Sequence, residues 1–83
     1  MTPTPKEIKN FISGNIIICD GHEYISNAEK LVMDVRKSFE NTYCGIEQER
    51  NGCLHFVVKI LYKNGFRKCV DYLVLPPEIH VQL

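Results

Sequence analysis

The chain has no surplus of either charge: its 83 residues carry ten lysines and arginines against ten aspartates and glutamates. Without a global field, nothing draws nucleic acid or an acidic membrane toward it at long range, so neither is an expected partner. Long apolar runs are missing too. None approaches the ~20 residues that cross a bilayer, and the opening Met1-Thr2-Pro3-Thr4-Pro5-Lys6 lacks the basic-then-apolar order of a signal peptide. A cytoplasmic protein is expected. The glycines Gly14, Gly21, Gly45, Gly52 and Gly65 stand singly, with no glycine-rich loop ahead of a lysine, which excludes a P-loop. With no repeat, low-complexity tract or linker, one domain over 1–83 follows, burying only ~60–65% of the unfolded chain's surface.

What is present is best seen between Cys53 and Leu75, CLHFVVKILYKNGFRKCVDYLVL, where two apolar runs flank Asn64-Gly65. Such a pattern predicts a β-hairpin. A two-residue turn at Asn64-Gly65 sets Val58 against Asp71 and mixes apolar with charged residues on one face. Placing Lys63-Asn64 in the turn and Gly65 at a left-handed bulge instead sets Tyr62 opposite Phe66, Val58 opposite Val70, Phe56 opposite Tyr72 and Leu54 opposite Val74. A one-residue slip reverses every side chain, so burial selects the second register. Asn51-Gly52 repeats the logic, with Glu49 facing Cys53 and with Cys44 and Ile46 opposite Val58 and Phe56. The result is a three-stranded antiparallel meander over 43–75.

Two helices are expected. Thr4-Pro5-Lys6-Glu7 combines an N-cap threonine, a first-turn proline and a capping-box glutamate, predicting a short helix over 5–12 that ends at Ser13-Gly14. Ser26-Asn27-Ala28-Glu29 reads as a second capping box, and Ala28, Leu31, Val32, Val35 and Phe39 then recur at helical spacing, predicting one long helix over 27–41. Between them, Asn15-Ile16-Ile17-Ile18-Cys19 reads as a strand closed by Asp20-Gly21. His22 to Ile25 are open between a return strand and a loop. Pro76-Pro77 ends the last strand of the meander, and 78–83 alternates as an edge strand or a frayed tail would. The expected fold is therefore α+β and two-layered: the 43–75 meander plus a strand at 15–19, packed on the long helix, with the short helix beside it.

In the bulged register the second face of the sheet carries Cys53, His55, Val57, Lys59, Leu61, Arg67, Cys69, Asp71, Leu73 and Leu75, too apolar a mixture for plain solvent exposure. Either the N-terminal segments fold over it or a partner does. The functional expectation is a small non-enzymatic binding module, a regulator, inhibitor or immunity-type factor in the manner of phage and mobile-element accessory proteins. It would dock on a larger protein through His55, Val57, Lys59, Leu61, Arg67, Asp71 and Leu73, with a homodimer as the alternative use of that face. No cofactor and no catalytic residue are expected.

The competing reading uses soft ligands. Cys19, His22, Cys53 and His55 are the right residue types for tetrahedral zinc, but the Cys53-x-His55 spacing departs from knuckle patterns. Four cysteines without secretory context otherwise read as free thiols or small core hydrophobes. Cys53, His55 and Glu47 can also be set out as thiol, base and orienting carboxylate, with no oxyanion hole to complete them. Lys59, Lys63, Arg67 and Lys68 gather at the hairpin tip near Tyr62 and Phe66, where they could touch a phosphate backbone, but an ordinary charged end that discourages edge pairing is the better explanation.

Overall fold

The structure, a computed structural model, describes residues 2–76. The first capping box forms as its residues dictate. The Thr4 hydroxyl accepts the Glu7 amide at 3.2 Å and the Glu7 carboxylate accepts the Thr4 amide at 3.0 Å, opening helix α1 (Pro5–Ile12). One turn apart, Ile8 and Ile12 are fully buried. After a 3-10 turn (Ser13–Asn15), strand β1 (Ile16–Cys19) pairs antiparallel with β2 (His22–Ile25). Asp20 and Gly21 join them at φ 51° and 77°, the two left-handed residues that a two-residue turn needs to match strand twist.

Helix α2 spans Ala28–Ser38, shorter than the expected 27–41. Its capping box does not form. Ser26 is buried and its hydroxyl donates to the Asn15 carbonyl at 3.2 Å, fastening the end of β2 to the start of β1, while left-handed Asn27 enters the helix with no side-chain cap. Phe39 leaves the helix extended, and its ring meets Phe11 of α1 edge-on at 5.1 Å. Then follow β3 (Thr42–Gln48), β4 (Leu54–Tyr62) and β5 (Gly65–Val74). The sheet order is β1-β2-β5-β4-β3.

This corrects the expected architecture. The sheet is five-stranded and mixed, because β2 lies parallel to β5 through Tyr24↔Leu73 and Ile25↔Val74, and it is backed by two helices rather than one. A parallel pair needs a long crossover, here α2, β3 and β4. No turn signal next to His22 points to a partner some fifty residues away. The short α1 is a full contributor because both its inward isoleucines enter the same core cluster as Leu31, Val32 and Val35 of α2. The 78–83 alternation lies outside the described residues.

The meander keeps its predicted register in most places. Cys44↔Val58, Ile46↔Phe56, Phe56↔Tyr72 and Val58↔Val70 pair as burial requires. Toward the tip the register moves by one. Tyr62 pairs with Gly65, Leu61 with Phe66, Ile60 with Arg67 and Lys59 with Lys68, and the irregularity falls between Val58 and Lys59, leaving Cys69 as the extra residue. The bulge is therefore at Cys69, not at Gly65. Two faces change as a result: Phe66, expected in the core, is turned out and 54% exposed, while Cys69, expected outside, packs against the core.

Cys44 is fully buried among these residues, and burial pushes its thiol from 9.0 up to about 12, against a small opposing pull from Arg36. A raised folded-state pKa means that the unfolded chain releases its proton first. Stability from this group is whole below the unfolded value and is lost as pH climbs from about 9 toward 12. Urea midpoints for the wild type and Cys44→Ala should therefore differ most at neutral pH and converge as pH rises over that window. Parallel curves would refute the linkage.

Candidate binding face

Phe56, Val58, Ile60 and Val70 share one side of the sheet with Ile8, Ile12, Leu31, Val32 and Val35 of the two helices. The other side has no helix or strand over it among the described residues. The N-terminal segments do not fold over that face: α1 lies in the core layer and β1 extends the sheet sideways as its edge strand. Strand alternation places His55, Val57, Lys59 and Leu61 of β4 on the open face, with Leu73 and Asp71 opposite His55 and Val57. Six of the seven expected partner-binding residues thus share it. Arg67 does not, since it pairs with core-facing Ile60 and so stands on the helix side. Val57 is on the face but only 1% exposed, so it forms the floor of the surface and cannot itself be a contact.

The polar residues form a chain of pairs. His55 Nδ1 lies 2.7 Å from Asp71 Oδ1, and a carboxylate can only accept, so Nδ1 carries the proton there. Lys68 Nζ donates to the other carboxylate oxygen at 2.9 Å. Those hydrogen bonds, Lys68 first and His55 after it, hold the Asp71 carboxyl below its usual range, and Asp71 in turn raises the Lys68 ammonium. His55 Nε2 is 3.9 Å from Glu49, and Lys59 is 3.5 Å from Glu47. Lys59 also stands over the Tyr43 ring at 5.3 Å. That ring folds across Gly45, opposite Val57, where a Cβ would meet the phenol oxygen and oblige the ring to shift. Beside this polar mosaic, Leu61 and Phe66 are exposed as a cross-strand pair at the tip, and Ile17 is exposed on the outermost strand.

The zinc set does not converge. His22 and His55 line one hollow of about 440 Å³ with Glu23, Asp71, Tyr72 and Leu73, whereas Cys53 lines another with Tyr24, Asn51 and Leu75. Cys19 pairs with His22 across the β1–β2 turn. Among the described residues no group of three or more His, Cys, Asp or Glu side chains is placed to hold a metal, and all four cysteines are free thiols. Glu47 does stand opposite His55, but the imidazole bonds Asp71 instead.

Sequence reasoning missed Phe66, Tyr43 and Lys68 as members of the open face. Phe66 and Lys68 were hidden by the displaced bulge. Tyr43 had a usable signal, being two residues before a strand glycine, where a ring can lie over the bare backbone. No helix among the described residues is long and apolar enough to cross a membrane. The chain matches no family model, no curated protein and no solved structure.

Proposed function

We propose that this is a small non-enzymatic binding module that regulates or inhibits a larger protein by docking on it through the open face of its sheet, as an immunity-type accessory factor would. The supporting observation is the exposed Leu61–Phe66 pair, 39% and 54% accessible, standing beside ion pairs already formed in the free chain. An apolar anchor with a polar surround is the usual anatomy of a protein interface. Charged groups that are already paired lose little freedom on docking, so the apolar pair supplies the affinity and the mosaic supplies register.

The test is capture from cells carrying the gene, using the wild type and a Leu61→Glu/Phe66→Glu double variant. Both positions are exposed, so circular dichroism and melting should be unchanged. A stoichiometric protein partner held by the wild type should bind the variant about 100-fold or more weakly. A partner held equally by both overturns the assignment of this face. A concentration-dependent dimer abolished by the same variant gives the face to a second copy, and a larger partner is then no longer required.

A further inference from the structure

Strand β2 pairs with β5 only at Leu73 and Val74, so from Gly65 to Val70 that flank of β5 has no strand beside it among the described residues. Hydrogen-bond parity identifies the open groups. The Leu61 amide donates to the Asn41 carbonyl on the β3 side, so odd residues of β4 bond toward β3 and even ones toward β5. Tyr62 and Ile60 accordingly bond Gly65 and Arg67, and the amides and carbonyls of Phe66 and Lys68 point out of the sheet. This open edge is roughly 20 Å long.

Alongside it runs a groove of about 390 Å³ between α1 and the hairpin, lined by Pro5, Lys9, Tyr62, Arg67, Lys68 and Cys69. Its ionisable side chains include three cations and no carboxylate. Lys68 is paired with Asp71, but Lys9 and Arg67 have no acidic partner among the described residues. Arg67 stands 6.0 Å over the Tyr62 ring on the helix side, the same side as Lys9.

We propose that this half-edge of β5 takes up an extended acidic segment of a partner protein as an added strand. Phosphates also suit a basic groove with an aromatic wall, but alternating open N–H and C=O groups are matched in register only by another polypeptide backbone. A second copy is disfavoured, because pairing this edge with itself brings Arg67 and Lys68 against their own like charges. Side chains of an added strand alternate. One set meets Lys9 and Arg67 on the helix side, the other meets Phe66 on the open face, so the segment alternates acidic with apolar residues. The opposite edge of the sheet is different in kind: Arg36 Nε of α2 already occupies the outward Cys44 carbonyl of β3 at 2.9 Å. This strand site is a second contact, which shares Phe66 with the open-face anchor but not Leu61.

The experiment is titration of the full isotope-labelled chain with a heptapeptide of alternating glutamate and valine, followed by amide resonances and hydrogen exchange. Shifts and slowed exchange should centre on Phe66 and Lys68. Lys9→Glu/Arg67→Glu, both at exposed positions, should weaken binding about tenfold or more, as should N-methylation of alternate peptide residues, while Leu61→Glu changes it little. The site is overturned if the Phe66 and Lys68 amides do not respond, if a lysine–valine peptide binds equally, or if a single-stranded oligonucleotide displaces the peptide. A dimer of the free chain paired through this edge also overturns it.

Discussion

Phe56→Ala is expected to cost about 3–5 kcal/mol and to lower the melting temperature by roughly 15–30 °C in a domain of this size. Phe56 is the largest fully buried side chain. It is the middle of a three-strand row, flanked by Ile46 on β3 and Tyr72 on β5, directly under the helix layer. Truncation removes ring contacts that the row cannot recover by moving, because each neighbour is fixed by its own ladder bonds. A domain of this length has a total stability of about 4–12 kcal/mol, so the loss is a large share of the whole. Phe66→Ala deletes the same ring at an exposed position and should change stability by less than about 1 kcal/mol. Thermal melts of the two variants side by side make the measurement. A Phe56→Ala melt within a few degrees of wild type would mean that the row is not the centre of the core.

Much of the local structure is legible because local chemistry decides it. Thr4 and Glu7 satisfy each other's backbone groups within one turn, and Asn51-Gly52 sets the Cys44↔Val58 and Ile46↔Phe56 pairs that burial also demands. What escaped is decided at a distance. The four residues of β2 have no period of their own; all four pair with β1, and it is the distant pairing of Tyr24 and Ile25 with Leu73 and Val74 that joins this hairpin to the meander and makes the sheet mixed. Ser26 reads as an N-cap but is claimed by the Asn15 carbonyl once β1 and β2 are joined. The bulge at Cys69 resolves a conflict visible in the sequence: an unbroken bulged register sets Ile60 against Lys68 and places Phe66 in the core layer. Absorbing one residue there turns Phe66 outward and brings Arg67 to the helix side, which altered both candidate sites. The open face was legible as a face, since His55, Lys59, Leu61, Asp71 and Leu73 do share it, but its apolar anchor was only half visible.

The same substitution at adjacent positions should give opposite outcomes: Ile60→Glu unfolds the domain at neutral pH, whereas Leu61→Glu leaves it folded. Ile60 is fully buried and Leu61 is 39% exposed, although they are neighbours on one strand with similar hydrophobicity. At position 60 the carboxylate would enter the cluster of Ile8, Val35 and Val58. Arg67 lies opposite on that side, but its exposed guanidinium sits over Tyr62, and drawing it inward would strip the water from a second charge. Burial without a satisfied partner costs several kcal/mol, added to the lost apolar contacts, and the sum is comparable with the whole stability of the domain. At position 61 the carboxylate projects into solvent beside Phe66 and near Lys59, so the expected change is within about 1 kcal/mol. Far-ultraviolet circular dichroism and urea melts at pH 7 and pH 5 read both variants. Partial recovery of Ile60→Glu at the lower pH is expected, because protonation removes the buried charge while leaving the misfit. If Leu61→Glu unfolded as well, β4 would be covered on both sides, and the open face that supports docking would not exist.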